Sequence, residues 1–255
     1  MLSAPQASSF SLFGLNLHYY GLIIASAILC ALFAIRFLVK KDEFENVCEI
    51  LPFMIIFGIL GARIYYVLIN FNYYSEHLTD ILSIWQGGLA IHGAIIGGVL
   101  PLIVYTAKHN LRFLVYSDMF ALVLPLAQAI GRWGNYFNNE AFGFPCSHSF
   151  CLFVPQAFRP EKYQNYAYFH PTFLYESILN LLLFIFFVVI FKKFHNLKSG
   201  IITCLYLIFY SLIRIFVEFF RIDATVFVGQ IALPVIVSVI ILIFSVIFLT
   251  FLLKK

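Results

Sequence analysis

The sequence predicts an all-α polytopic membrane protein with seven transmembrane helices. Hydrophobic residues make up 62% of the chain and charged residues only 11%, whereas soluble domains carry about 25% charged residues. The mean hydropathy is correspondingly high, at +0.95. Apolar stretches of about 20 residues, the length that crosses a hydrocarbon core of about 30 Å, recur along the chain. These observations exclude an ordinary soluble domain.

Seven apolar stretches define the predicted spans. The first has no basic segment before it and is too long for the apolar part of a cleavable signal peptide, so we expect a retained helix. No internal repeat or low-complexity segment is present, and the one long connection, an outside loop at residues 144–170, precedes the fifth span. We therefore expect one transmembrane domain over residues 1–255. The predicted spans are 17–39, 47–69, 88–107, 113–131, 172–191, 200–220 and 228–252.

Basic residues set the predicted orientation, because Lys and Arg accumulate in cytoplasmic loops. They cluster at four places on one side of the predicted bundle. The opposite side has none between residues 70 and 85, and only Arg159 and Lys162 inside the long loop. We therefore expect the N-terminus outside and the C-terminus in the cytoplasm. The clustered residues are Lys40, Lys41, Lys108, Arg112, Lys192, Lys193, Lys198, Lys254 and Lys255.

The net charge and the cysteines indicate the surroundings of the chain. The net charge of +4 follows from the topology signal, and no basic run indicates a nucleic-acid partner. Cys146 and Cys151 lie in the loop that is predicted to be outside. In an oxidising compartment they could form a disulfide. Two unpaired thiols are the alternative.

The most polar run of the chain is GRWGNYFNNEAFG, at the end of the fourth span. A charge near the bilayer centre costs roughly 2.5 to 3.5 kcal/mol on insertion scales, so such a run indicates function. Its glycines allow turns or close contacts that a side chain would block. Arg132 and Glu140 could simply pair with each other, but the asparagines between them favour a ligand site. The glycines are Gly131, Gly134 and Gly143, and the asparagines are Asn135, Asn138 and Asn139.

The sixth span carries a polar stripe in the run YSLIRIFVEFFR. At 100° per residue, four polar side chains share one face of the helix. Arg214 and Glu218 are spaced to form an i, i+4 pair. One Glu cannot neutralise the stripe's two arginines together with Arg132, so the stripe favours an anion, and planar guanidinium groups match phosphate oxygens. The stripe consists of Tyr210, Arg214, Glu218 and Arg221.

Two further runs place polar residues in apolar segments. His92 lies in QGGLAIHGAIIGG, and its imidazole suits proton transfer because its ordinary pKa is near 6.5; a satisfied core histidine is the alternative. Gly93 and Gly97 have the spacing that lets two helices pack closely. In HYYG, Tyr20 opens the first span beside Gly21, which allows close approach of another group. An aromatic belt at the membrane interface is the alternative for Tyr20.

The run HPTFLYE opens the fifth span. Pro171 fits the first turn of a helix, because its φ is fixed and no hydrogen bond is lost there. His170 would then lie at the outer mouth of the membrane, and Glu176 would face the helix bundle. In the second span, Arg63 adds a positive group to the site, extends its charged end to the membrane surface, or forms a structural pair.

These residues together predict an intramembrane cavity, open to the outside, that binds an anionic head group of a phospholipid. No GxSxG, HExxH, P-loop or CxxC motif is present, which argues against a serine lipase, a zinc protease, an ATPase or a thiol oxidoreductase. We expect no metal and no cofactor. A transporter or channel for an anionic solute is the alternative, although no inverted repeat of interrupted helices is present. A non-catalytic scaffold would leave the cost of the intramembrane charges unexplained.

The run GRWGNYFNNEAFG resembles the signature of bacterial phosphatidylglycerol:prolipoprotein diacylglyceryl transferases. HYYG, IHGAIIGG, HPTFLYE and YSLIRIFVEFFR agree with the same family in the same order. The resemblance implies transfer of an sn-1,2-diacylglyceryl group from phosphatidylglycerol to the lipobox cysteine thiol of a preprolipoprotein. A thioether would form and glycerol phosphate would be released. The resemblance also implies a multi-pass enzyme of the bacterial cytoplasmic (inner) membrane, surrounded by membrane lipid.

The resemblance implies which positions are functional, and side-chain chemistry suggests their roles. A thiol with a pKa near 8.5 needs a base or a positive field to become a nucleophile. The departing phosphate needs positive groups, which carboxylates would orient. We expect His92 as the base, Arg132 and Arg214 as the phosphate-binding groups, Glu140 and Glu218 as the orienting carboxylates, Asn135 and Gly143 as substrate-binding residues, and Tyr20 and Tyr210 as residues that close the site.

The chain departs from the family pattern at positions outside this set. We expect these departures to affect the shape of the outer rim and the substrate preference. The family's usual Glu-Pro-Asp after the last arginine is here Ile222, Asp223 and Ala224, while Ala94, Asn139 and Phe173 replace the usual Gly, Gly and Gln.

Overall fold

Seven helices long and apolar enough to cross a membrane are present among the described residues, which confirms the predicted all-α membrane fold. By its contacts the chain forms two units, Met1–Leu38 with Asp118–Lys255, and Val39–Ser117. The orientation across the bilayer and the single domain stay predictions. Asp223, Ala224 and Lys255 lie outside the described residues. The computed structural model describes residues 2, 5, 8–12, 15–194, 197–222, 227–229 and 231–254.

Each predicted span contains one long helix, and a short helix, α3, follows the second span. The helices form because long apolar runs can satisfy their backbone groups only internally in lipid. The helices are α1 Tyr19–Arg36, α2 Lys41–Ile69, α3 Phe71–Glu76, α4 Ile91–Lys108, α5 Phe113–Phe137, α6 Thr172–Lys193, α7 Ile201–Glu218 and α8 Leu233–Lys254.

Short antiparallel strand pairs lie in the connections of the first unit. The pair β1–β2 precedes α1, with Ser9 opposite His18. The pair β3–β4 lies in the long loop, with Leu152 opposite Phe169. A third pair, β5–β6, occupies the start of the predicted seventh span, so α8 begins at Leu233 rather than at residue 228. The strands are β1 Ser9–Leu12, β2 Leu15–His18, β3 Leu152–Phe153, β4 Tyr168–Phe169, β5 Phe227–Val228 and β6 Ile231–Ala232.

Helix α5 extends beyond the predicted end of the fourth span at residue 131, and continues to Phe137. Its polar last turns keep the helical pattern, since the Asn138 N–H donates to the Gly134 carbonyl at 3.1 Å. The chain then turns through Asn139 and Ala141, with φ of 54° and 57°. Asn is among the few residues other than Gly that tolerate this left-handed region, so Asn139 fits the turn.

Helix α7 ends at Glu218, so the predicted stripe is only partly helical. Tyr210, Arg214 and Glu218 share the helix face, as expected. Arg221 lies beyond the helix end, where its N–H donates to the Glu218 carbonyl at 3.2 Å and its backbone bridges to Gly143.

Asp118 on α5 fastens the N-terminal end of α7 in the first unit. Its Oδ2 accepts the Gly200 N–H at 2.6 Å, and its Oδ1 accepts the Thr203 N–H at 2.8 Å. These amides are among the helix-start donors that have no partner within the helix. The bonds fix the position of α7 along α5, and thereby align Arg132 with Arg214 further along the two helices.

The long loop, the residues just after α5 and the start of α6 enclose a small apolar core. Ala141, Phe142, Leu152, Val154, Phe169 and Phe173 are all buried in it. Phe173 therefore contributes to this core, and Ile222 packs against it. Cys146 and Cys151 are joined by a disulfide, the first of the two alternatives considered above.

In the second unit, α2 and α4 pack against each other in antiparallel directions through glycines. A Cβ on Gly93 would overlap the Gly61 carbonyl, and a Cβ on Gly97 would overlap the Phe57 carbonyl. The packing role predicted for Gly93 and Gly97 is therefore confirmed. The second unit also contains His92, in the first turn of α4.

Candidate active site

Four charged side chains, Arg132, Glu176, Arg214 and Glu218, are linked in a row that connects α5, α6 and α7 in the first unit; we call this row the charged chain. Arg132 donates through Nη2 to Oε1 of Glu176 in a very short ion pair. Arg214 donates through Nη1 to the other oxygen of Glu176 at 3.1 Å, and through Nη2 to Oε2 of Glu218 at 3.1 Å. The order of side chains in the charged chain is therefore Arg132, Glu176, Arg214, Glu218.

Glu176 is the centre of the charged chain, although the sequence predicts only that it faces the helix bundle. Its side chain is 2% exposed, and each carboxylate oxygen binds a different arginine. A buried charge requires such partners, because removing one partner leaves an uncompensated charge. The sequence does contain one signal for Glu176: an ionisable residue inside an apolar span indicates a functional site by default.

The four side chains of the charged chain balance in charge, whereas the excess of arginines expected from the sequence also included Arg221, which lies beyond the end of α7. Two guanidinium groups face two carboxylates, because Glu176 supplies the second negative charge. An anion that binds the arginines must therefore compete with a carboxylate or use other N–H groups of the same forks. Oε1 of Glu218 is buried and has no hydrogen-bond partner among the described residues, so the cluster offers an acceptor as well as donors.

Glu140 does not pair with Arg132, the simple alternative considered above. Its Oε1 accepts the Asn135 amide at 2.8 Å and the Asn138 amide at 3.3 Å. Glu140 therefore orients Asn135, while Glu176 occupies the place beside Arg132 that the sequence reasoning gave to Glu140.

Two tyrosines of the expected site also contact this part of the first unit. The ring of Tyr20 packs on Gly134, where a Cβ would lie 2.6 Å from the ring. Tyr210 lies one turn before Arg214 on α7, and its ring stacks on that of Tyr206, with the centroids 5.6 Å apart. The structure therefore places both tyrosines beside the charged chain.

Gly143 acts through its backbone. Its N–H donates to the His170 carbonyl at 2.7 Å, and the next N–H, of Phe144, donates to the Phe220 carbonyl at 2.9 Å. A Cβ on Gly143 would overlap the Phe220 carbonyl and lie 2.9 Å from Thr172. Only glycine permits the turn after α5 to join the ends of α6 and α7 in this way.

His170 lies outside the helices, next to this junction. Its Nδ1 is 3.0 Å from the Tyr175 hydroxyl. Burial lowers the pKa of His170 below its ordinary value of 6.5, and the nearby His148 lowers it further. Both effects favour the neutral form of the imidazole.

His92 belongs to the second unit. Its side chain is exposed there, with the ring centroid 5.8 Å from that of Tyr65. A satisfied core histidine does not fit this exposure. The role of a base stays a prediction. The described residues contain no group of three or more His, Cys, Asp or Glu that could hold a metal ion.

Comparison with known proteins decides the family. The model of the prolipoprotein diacylglyceryl transferase family matches residues 7–251. The chain belongs to this family. Membership in the prolipoprotein diacylglyceryl transferase family does not support the transporter alternative, and the matched range contains every residue of the charged chain.

Similar members of the prolipoprotein diacylglyceryl transferase family come from several bacteria. A relative from Thermotoga petrophila is 46% identical over 219 residues, which cover 84% of this chain and 74% of the relative. Another, from Parasynechococcus marenigrum, is 44% identical over 229 residues, 88% of this chain and 82% of the relative. A third, from Synechocystis sp., is 40% identical over 245 residues, 92% of this chain and 85% of the relative. Each is named a phosphatidylglycerol–prolipoprotein diacylglyceryl transferase.

Proposed function

We propose that this protein transfers the sn-1,2-diacylglyceryl group of phosphatidylglycerol to the lipobox cysteine of a preprolipoprotein. The observation that carries the proposal is the charged chain, which aligns two guanidinium groups inside an apolar bundle. Its members are Arg132, Glu176, Arg214 and Glu218. The names of the relatives support the same donor and acceptor.

The two arginines are suited to hold the phosphate of the lipid. Their carboxylate partners fix both guanidinium groups before the substrate binds. Donors aligned in advance stabilise the charge that develops during the reaction without further reorganisation. Guanidinium forks also match phosphate oxygens in pairs. Asn135, held by Glu140, adds a neutral donor for the oxygens of the glyceryl or phosphate group.

The chemical step joins the cysteine sulfur to the terminal carbon of the diacylglyceryl group. The bond between that carbon and the phosphate oxygen breaks, and its electron pair leaves with glycerol phosphate. The thiol proton goes to a base, for which His92 is the candidate, because the thiolate is the nucleophile. The arginines stabilise the charge that accumulates on the phosphate.

We place the protein in the bacterial cytoplasmic membrane as a multi-pass enzyme, with the site towards the outer side. The apolar helices support a membrane location, and the positions of the basic residues support the orientation. A phospholipid donor would then reach the site from the surrounding lipid.

The test uses purified protein, phosphatidylglycerol and a lipobox peptide. We expect release of glycerol phosphate together with a thioether-linked peptide, and loss of both products in Arg132→Ala and Asn135→Ala. Absence of product from the unmutated protein, together with normal complementation of a transferase-depleted bacterium by both variants, would overturn the proposal.

A further inference from the structure

The connection between α2 and α4, residues 71–89, exposes several large apolar side chains. It consists of α3 followed by two 3-10 turns, Leu78–Leu82 and Ile84–Gln86. Leu78 is 68% exposed, Leu82 is 77% exposed and Trp85 is 75% exposed. Contiguous apolar exposure of this kind marks a surface that contacts protein or membrane.

Arg63, on α2, fixes the backbone of this connection through hydrogen bonds from its side chain. Its guanidinium is buried, and it donates to the carbonyls of Ile81 at 2.9 Å, Gly87 at 2.8 Å and Gly88 at 3.0 Å. It also lies over the ring of Tyr74, 5.2 Å from the centroid. The carbonyls of the turns therefore point inward, and the apolar side chains are held on the opposite, exposed side. The role of Arg63 in this geometry is structural, but its partners are backbone carbonyls rather than the charged partner of a pair.

The position of the connection relates it to the bilayer. Helices α2 and α4 are candidate membrane spans and run antiparallel, so the connection joins their ends on one side. Helix α2 ends at Ile69 and α4 begins at Ile91, and both of these residues are themselves exposed. The apolar faces of the two spans thus continue into the exposed side chains of the connection.

The charges of the connection favour apolar insertion over attraction to anionic lipid. No Lys or Arg lies between Arg63 and Lys108, whereas Glu76 and Asp80 are acidic. Attraction to an anionic membrane surface requires clustered basic residues. An exposed Trp flanked by Leu is instead typical of the boundary between head groups and acyl chains.

We propose that residues 71–89 form an interfacial platform, held by Arg63, that inserts Leu78, Leu82 and Trp85 into the boundary between lipid head groups and acyl chains. The partner is the lipid surface itself. Because the insertion is apolar, it does not depend on the head-group charge.

The chain contains two tryptophans, which allows a direct test. In the variant Trp133→Phe, Trp85 is the only tryptophan, and the variant is reconstituted into phosphatidylcholine nanodiscs. We expect a nitroxide attached to the acyl chain near the head group to quench Trp85 more strongly than one near the chain end. Aqueous iodide should quench weakly, and added phosphatidylglycerol should not change the pattern.

Each other outcome overturns the proposal. Strong iodide quenching without lipid quenching would place Trp85 in water. Quenching by neither reagent would indicate cover by protein, such as a second copy. Strongest quenching by the deep nitroxide would place Trp85 in the hydrocarbon core, and quenching that requires phosphatidylglycerol would indicate electrostatic binding.

A second variant tests the role of Arg63. Arg63→Lys, added to Trp133→Phe, keeps the charge but cannot donate to several carbonyls at fixed angles. We expect iodide quenching of Trp85 to increase and the difference between shallow and deep nitroxides to shrink. An unchanged depth profile would show that Arg63 does not hold the platform. The chain without tryptophan, Trp85→Phe with Trp133→Phe, gives the background.

Discussion

At the scale of single residues, Glu176 shows what sequence reasoning could and could not find. The span pattern identified a carboxylate in an apolar helix, and the family signature identified both arginines. Glu176 lies 44 residues from Arg132 and 38 from Arg214 along the chain. Contacts over such separations depend on how three helices pack, so the bridge was not predictable. For the same reason, the sequence predicts Glu140, a close neighbour along the chain, as the carboxylate that orients Arg132, although Glu140 binds Asn135.

The variant Glu176→Gln tests this position. It keeps the shape of the side chain but leaves two arginines with one carboxylate, so the forks lose their alignment. We expect the rate of glycerol phosphate release to fall about 100-fold, the size of effect seen when one aligned electrostatic group is removed. The rate is measured with purified protein at saturating phosphatidylglycerol, after gel filtration confirms folding.

Glu161→Gln is the matched control, because Glu161 is an exposed carboxylate in the long loop. It makes the same change of charge away from the cluster and should retain the original rate. Equal rates for Glu176→Gln and the unmutated protein would contradict the bridging role.

At the scale of elements, the apolar pattern predicted every spanning helix but not where each one ends. Helix α5 continues through polar residues to Phe137, α7 stops before Arg221, and α8 begins after a strand pair. Hydropathy measures the cost of transfer into lipid, whereas a helix ends where its backbone hydrogen bonds end. The spacing of Gly93 and Gly97 in α4, by contrast, predicted helix packing directly, because close approach of two backbones leaves no room for a side chain.

The pair α2 and α4 provides a test of that packing. In Gly93→Ala, the new Cβ would overlap the Gly61 carbonyl and lie 2.5 Å from the Cβ of Tyr65. We expect a loss of stability of about 1 to 3 kcal/mol, the usual cost of overpacking. Thermal unfolding in detergent measures it.

Gly98→Ala is the matched control on the same helix. Its Cβ would lie 3.7 Å from the Met54 carbonyl, which is ordinary contact, so the unfolding temperature should stay near that of the unmutated protein. Equal unfolding temperatures for Gly93→Ala and Gly98→Ala would show that the close approach is not needed.

At the scale of the whole molecule, the distribution of basic residues predicts the orientation. The loops that carry Lys and Arg alternate with loops that carry few, in the order required by an odd number of spans. The disulfide between Cys146 and Cys151 agrees with an oxidising compartment for the long loop.

Reporter fusions test the orientation. Green fluorescent protein fused to the C-terminus, or after Asn110, should fluoresce, because both positions are predicted to be cytoplasmic. Alkaline phosphatase, which needs disulfides, should be active when fused after Gln164 and inactive when fused after Asn110. The reverse pattern of activities would invert the topology.

The sequence by itself determined the membrane class, the number of spans, the family and most of the polar residues of the site. These properties follow from hydropathy, from local spacing and from a long motif, all of which are written along the chain. Only the tertiary structure decided that Glu176 joins Arg132 to Arg214, that the Gly143 N–H binds the His170 carbonyl, and that Arg63 donates to backbone carbonyls of the connection between α2 and α4. These roles depend on contacts between distant segments, and packing geometry alone brings such segments together.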